Sequence, residues 1–326
     1  MRTGTVFCEL LMTTDRPLPF ISVIIPVFND VARLRECLGA LADQTYPKDN
    51  FEVVVVDNSP GADQALVRLP EEFSALTLTV AHQPQPGSYA ARNLGLSLAR
   101  GPAIAFTDSD CIPATDWLER GAQQLSQHPD CGLVAGRIKF FFQAPESPSI
   151  AEIYDSLHLL NQQKYIEKYH FGATANVFTL KDVFADVGPF NDTLQSGGDS
   201  EWGKRVFAAG YEQIYADDVV IAHPARTSFR ALRKKVVRIT EGDYYLNDTD
   251  AWPLSRFLAD VLIDFKPHVK YFFELSAKPQ VQGFRKQLGC YLIYIYLRYL
   301  KSWTRLRLYV RNVTKRYHSD QREESE

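Results

Sequence analysis

The sequence predicts an α/β protein: a mostly parallel sheet with flanking helices, followed by a helical C-terminal extension. Three observations carry this. Short β-rich runs alternate with helically spaced segments through the first half of the chain. Those runs are apolar almost throughout, rather than at every second residue. Beyond about Thr227 the chain turns basic and aromatic, with helical rather than strand patterning. Strands that read as continuous apolar runs are covered on both faces, and crossover helices provide that cover in parallel sheets.

Ile21 to Val27 is the first strand, and Val31 to Ala42 follows with Leu34, Leu38 and Leu41 at helical spacing. Phe51 to Asp57 is the second strand and Leu76 to Ala81 the third. Ser88 to Arg100 is a helix, and Ala103 to Phe106 is a fourth strand that ends in Thr107-Asp-Ser-Asp110. The pattern then becomes mixed. A strand over Leu133 to Phe142 precedes a loop with Pro145 and Pro148, a helix from about Ile150, a strand over Ala175 to Leu180 and a helix over Glu201 to Ala209. Two units are expected, a catalytic domain over 1–226 and a helical extension over 227–326.

Composition narrows the class. With 45% hydrophobic and 23% charged residues among 326, the chain can bury a core. A formal charge of −3 gives no reason to expect nucleic acid as a partner. Five cysteines, none in a C-x-x-C pair, fit free thiols in a reducing compartment and thus a cytoplasmic protein. Val6 to Met12 is too short for a secretory signal and contains Glu9. No apolar run approaches the roughly 18–20 residues of a spanning helix.

In parallel sheets, ligands sit at the carboxyl ends of the strands. Strand one ends in Pro26-Val-Phe-Asn29, with neither G-x-G-x-x-G nor G-x-x-x-x-G-K. That excludes the common dinucleotide and phosphate loops and leaves Phe28 as a flat apolar surface for a base. Strand two ends at Asp57, a carboxylate for a base N–H or a ribose hydroxyl; before Asn-Ser-Pro-Gly an Asp also suits a turn. Asp108 and Asp110 repel each other unless a cation or donors neutralise them, and Mg²⁺ or Mn²⁺ prefers such oxygen ligands. Asp199 follows Gly197-Gly198 at a helix start, where an N-cap role and a catalytic role are compatible. His223 follows the Val219-Val220 pair as a third metal ligand or a structural histidine, and Arg226 could hold phosphate.

In this order and spacing the pieces resemble the family 2 glycosyltransferases of the GT-A fold, from about Phe20 to Arg226. The resemblance rests on Ser22 to Asn29, Val54 to Asp57, Ala91-Arg-Asn-Leu-Gly95, Phe106 to Asp110, Val187-Gly-Pro-Phe190 and Gly198-Asp-Ser-Glu201. It implies an inverting, metal-dependent transfer of sugar from a nucleotide-diphosphate donor, with uridine diphosphate as the default. The acceptor hydroxyl would belong to a glycan or a lipid-linked molecule, in polysaccharide or glycolipid synthesis. The resemblance assigns Pro26, Val27, Phe28, Asn29 and Asp57 to the nucleotide, Asp108 to the nucleotide's ribose or the metal, Asp110 and His223 to the metal, and Asp199 to the general base. Asn176, Glu201, Trp202 and Arg226 are expected at the sugar or acceptor. Two departures stand out: Gly198 where the family often has Glu, and Gly87-Ser88 where a basic residue often contacts the donor, a place Arg92 would take. A non-catalytic scaffold of a polysaccharide assembly complex is the competing expectation.

From Phe284 to Arg316 there are nine Lys or Arg and no acid, interleaved with Tyr, Trp, Leu and Ile. Such a helix suits an anionic membrane surface, here the inner face. It equally suits packing on the catalytic domain, with Arg and Lys stems covering apolar area.

Overall fold

The computed structural model describes residues 18–323 apart from 62, 159, 247–253 and 267. The opening stretch with Val6 to Met12 and Cys8 therefore lies outside the described residues. One sheet of eight strands carries the fold, in the order β3-β2-β1-β4-β7-β6-β8-β5. The strands are β1 (Ile21–Val27), β2 (Phe51–Asp57), β3 (Leu78–His82), β4 (Ala103–Thr107), β5 (Ile112–Pro113), β6 (Cys131–Phe141), β7 (Asn176–Leu180) and β8 (Glu212–Pro224).

The first four strands run parallel, as their apolar character requires. One face of β1 and β2 packs Ile21, Val23, Ile25, Val53 and Val55 against Leu34, Leu38 and Leu41 of the Val31–Ala42 helix. The other face turns Ile24, Ile104 and Phe106 toward Leu96 of the Ser88–Leu98 helix. That helix lies so close to the sheet that a Cβ on Gly95 would stand 2.4 Å from Ile24. The glycine of Ala91-Arg-Asn-Leu-Gly95 is thus a packing requirement, since overfilling a core forces its neighbours to shift.

The second half of the sheet is antiparallel where the first is not. β7 pairs antiparallel with both β4 and β6, β6 runs parallel to β8, and β5 pairs antiparallel with β8. β8 is far longer than the Val219-Val220 pair, because polar residues such as Glu212, Asp217 and Asp218 interrupt its apolar signal. The Trp117–Gln127 helix is absent from the sequence reading, yet it buries Trp117, Leu118 and Leu125 against the sheet. The Ile112↔Ala222 register of β5 on β8 brings the turn after β4 beside His223.

Beyond 226 the helices are Phe229–Leu246, Leu254–Phe265, Val269–Ser276 and Phe284–Glu323. Their core joins Leu232, Leu275, Cys290 and Leu297 to Ala151, Ile153 and Tyr154 of the Ile150–His158 helix. An element from the first 226 residues therefore belongs to the core of the extension. Among the described residues no helix is long and apolar enough to cross a membrane. Cys37, Cys111, Cys131 and Cys290 are free and buried.

Candidate active site

The carboxyl ends of β1, β2 and β4 face one cleft. Val27 and Asp57 are register partners, so the turn after β1 and the end of β2 are neighbours. Phe28 is 59% exposed at the tip of that turn. Asn29 turns the chain at φ 50° and donates its N–H to Ser59 Oγ at 2.9 Å. Pro26 and the buried Val27 form the floor beneath it. Asp57 accepts the Ser59 N–H at 2.9 Å on Oδ1 and the Asp63 N–H at 3.0 Å on Oδ2. Burial opposes its charge, and these hydrogen bonds outweigh burial and hold the carboxyl below its ordinary range.

Asn58 escapes a reading by motif. Its Nδ2 donates to the carbonyls of Gln83 and Gln85, and its Oδ1 accepts the Gly87 N–H at 2.7 Å. One amide thereby fixes the segment that leads into the Ser88–Leu98 helix.

The turn after β4 forms a donor cluster. One ligand atom from each of Asp108, Asp110, Cys111 and His223 lies within 4.8 Å of the others. His223 Nε2 is 3.9 Å from Asp110 Oδ1. Its Nδ1 lies 2.8 Å from the Pro224 carbonyl, an acceptor, so Nδ1 carries a proton and Nε2 is the nitrogen that faces the cluster. Burial pushes the Asp110 carboxyl up, the His223 ring draws it down, and the Asp108 charge pushes it up again. Two carboxylates and an imidazole in this geometry fit a divalent cation of the Mg²⁺ or Mn²⁺ kind. Cys111 does not fit, because burial pushes its thiol well up and Asp108 adds to the effect. A neutral thiol is a poor ligand for a hard ion.

Asp199 stands across the cleft. The Gly198–Ala208 helix starts two residues earlier than an N-cap Asp199 would allow: Gly197 is the cap, at φ 83°, and Asp199 sits in the first turn. Its Oδ1 accepts the Ser200 N–H at 2.9 Å and the Tyr89 hydroxyl at 3.1 Å. Burial pushes its carboxyl up, while the Arg92 charge and these two hydrogen bonds draw it down. The Tyr89 ring also explains Gly198, since a Cβ there would stand 2.8 Å from the ring. The space a Glu side chain would enter is taken by the tyrosine.

Arg92 links the two halves from behind. Its side chain is 4% exposed, its guanidinium donates to Asp108, and it lies 5.9 Å over the Tyr89 ring. In this position it orients Asp108 and sets the field at Asp199, instead of facing the open cleft.

The structure turns Asn176, Trp202 and Glu201 away from the cleft and keeps Arg226 beside it. Asn176 is fully buried; its Nδ2 donates to the carbonyls of Arg137 and Val219, and its Oδ1 accepts from Trp117 Nε1. With each polar atom engaged in the core, it ties β7 to β6 and β8 and offers nothing to a sugar. Trp202 is also a core residue, stacked on Phe184 at 4.4 Å and donating to the Gly188 carbonyl. Glu201 holds Arg205 in a two-pronged pair of 2.7 and 3.0 Å, two residues from Asp199 and hence on another side of the helix. Arg226 lines a cavity of about 300 Å³ with Asp110, His223 and Arg33. It is braced by Asp155, to which it donates at 3.1 Å. Arg33, in the first turn of its helix, reaches this cavity from a position that only the fold makes significant.

Known proteins carry the same pattern. The sequence model of glycosyl transferase family 2 matches residues 22–188. Glycosyltransferase AglE of Haloferax volcanii is 39% identical over 278 residues, 83% of this chain and 89% of that protein. The pre-mycofactocin glycosyltransferase of Mycobacterium tuberculosis is 30% identical over 219 residues, 64% of this chain and 44% of that protein. Among solved structures, mannosyltransferase PcManGT from Pyrobaculum calidifontis, in complex with GDP-Man and Mn²⁺, superposes with a TM-score of 0.58 at 20% identity, covering 89% of this chain and 88% of that one. TarS 1-349 of Staphylococcus aureus in complex with UDP-GlcNAc gives 0.52 at 18% identity, covering 85% and 90%. At such identities the two structures establish a shared architecture, the GT-A fold. The family match over half of the chain, and a relative aligned along most of its length, complete the case: the chain is a glycosyltransferase and belongs to glycosyl transferase family 2.

Proposed function

We propose that this glycosyltransferase moves a sugar, with inversion, from a uridine diphosphate donor to a hydroxyl of a glycan or lipid-linked acceptor in polysaccharide or glycolipid synthesis. The observation that carries the reading is the cleft itself. Asp108, Asp110 and His223 stand on one side, Asp199 on the other, and Arg92 and Tyr89 connect them. Phe28 offers the base a flat face, and Asp57, charged and anchored, accepts from the base or ribose. Asp108, Asp110 and His223 would hold Mn²⁺ or Mg²⁺. Bound there, such an ion supplies Lewis-acid stabilisation of the charge on a departing diphosphate. Arg33 and Arg226 add positive charge on the same side of the cavity. Asp199 Oδ2 is the oxygen that takes the acceptor's proton, since Oδ1 already accepts two hydrogen bonds. In this reading residues 1–226 form the transfer unit and 227–326 its extension, at work in the cytoplasm on the inner face of the membrane.

Tyr89→Phe tests the base. Removing the hydroxyl deletes a hydrogen bond that favours the carboxylate, so burial pushes Asp199 further up. A base works only when deprotonated, so the acid limb of kcat/KM moves to higher pH, and turnover recovers above the limb. An unmoved limb assigns the proton to another group.

Donor identity is tested by thermal melting with Mn²⁺ and a panel of nucleoside diphosphates. A ligand at a hundred times its Kd stabilises by about 2.7 kcal/mol, so UDP is expected to raise the Tm well above the effects of GDP and dTDP. A larger shift with GDP or dTDP replaces uridine as the base, and no shift with any of them refutes nucleotide binding at this cleft.

A further inference from the structure

Between Phe284 and Val310 the C-terminal helix carries apolar side chains on its solvent face as well as on its packed face. Phe284, Leu292, Trp303 and Val310 are each more than half exposed, and Tyr296 and Tyr299 are 40% and 41% exposed. Their spacings are sums of threes and fours, which puts them on one stripe, roughly 39 Å long at 1.5 Å per residue. The opposite side buries Thr304 together with Cys290, Leu297 and Leu308, and Ser302 is buried on the flank, where it donates to Asp264 at 2.9 Å. A threonine thus faces inward and a tryptophan outward.

The stripe continues sideways. Tyr299 stacks on Phe265 at 4.9 Å, and Tyr296 meets Phe229 at the same distance; both partners are themselves exposed. A contiguous apolar surface of this kind on a folded protein marks an interaction site.

We propose that this stripe is a membrane-docking surface that lies along an anionic bilayer, a proposal that rests on the inner-face reading above and names the surface responsible. Charge selects the occupant. The charged residues of this helix exposed beside the stripe are Arg285, Arg307 and Arg311, of which Arg307 also pairs with Glu241 of the Phe229–Leu246 helix at 2.7 Å, and the sequence from Phe284 to Arg316 holds no acid. Two copies of this face apposed would set arginine against arginine with no carboxylate from the stretch between them. Anionic headgroups pair with those arginines while the Tyr and Trp rings occupy the headgroup boundary. With Arg285 at one end and Arg307 and Arg311 at the other, the helix lies in the membrane plane and does not enter the hydrocarbon.

The test is flotation of the full-length protein with vesicles of phosphatidylcholine mixed with phosphatidylglycerol, and with phosphatidylcholine alone. Binding is expected to the anionic vesicles only and to weaken with salt, as screening requires. The double variant Leu292→Glu with Trp303→Glu, both outward-facing, should bind at least about tenfold more weakly. Val67→Glu, an exposed position on another part of the chain, should bind like the wild type. Tryptophan quenching by brominated lipid needs no destabilising change: it should occur in the wild type and fall sharply in Trp303→Phe. If the wild type ignores anionic vesicles, the inner-face reading and the docking surface both fall. Undiminished binding by the double variant, or undiminished quenching in Trp303→Phe, overturns the stripe and leaves the inner-face reading standing. A wild-type dimer that the double variant converts to monomer makes the stripe a self-association face and also overturns it.

Discussion

Asp110→Ala is expected to lower transfer by roughly 10²–10³-fold, because Lewis-acid assistance contributes several kcal/mol and each ~1.4 kcal/mol is a factor of ten. The fold should survive the change. In the metal-free protein burial pushes the Asp110 carboxyl up, so the folded state holds that proton more tightly than the unfolded state does. Stability therefore falls as pH rises from the ordinary carboxylate pKa through the raised one, and at neutral pH the ionised side chain is a cost. Removing it leaves the Tm without Mn²⁺ unchanged or higher. The rise in Tm that Mn²⁺ gives the wild type should disappear in the variant, together with metal-dependent binding of a nucleoside diphosphate. Chelation of the wild type should reproduce the loss of transfer. Full activity of Asp110→Ala in the presence of chelator contradicts the assignment.

The half of the fold built on β1, β2 and β4 was legible, because these strands are buried on both faces and their sequences are apolar at most positions. The other half was not. β5 is two residues long and β8 mixes charged and apolar positions, yet their pairing places His223 beside Asp110. A motif locates a residue along the chain without saying which way it points, and Asn176 and Trp202 show the consequence. Both lie in or next to recognisable segments, and both face the core. Arg92 was found for its charge, but its burial against Asp108 makes it a support of the site. Tyr89 gave one faint signal, the glycine at 198 that leaves room for its ring. Only the fold joins two positions so far apart in the chain.

The Asp199→Asn enzyme is expected to lose turnover by ~10² or more, the range that a positioned general base contributes. Asn is nearly isosteric and can still accept from Tyr89 and Ser200, so the helix start and the cleft keep their shape. Since burial pushes the Asp199 carboxyl up, its ionised form is a cost at neutral pH, and the variant should melt no lower than the wild type. Donor affinity should barely change, because a loss confined to the transition state lowers kcat and kcat/KM together. Glu201, the neighbouring acid, is held by Arg205 on another side of the helix, so Glu201→Gln should keep turnover within a few-fold if it folds. The decisive measurement is kcat for these two variants beside the wild type, at saturating donor and acceptor with Mn²⁺ present. The account predicts a dead or nearly dead Asp199→Asn with wild-type donor binding, and an active Glu201→Gln; near-normal turnover in Asp199→Asn with loss in Glu201→Gln would contradict it.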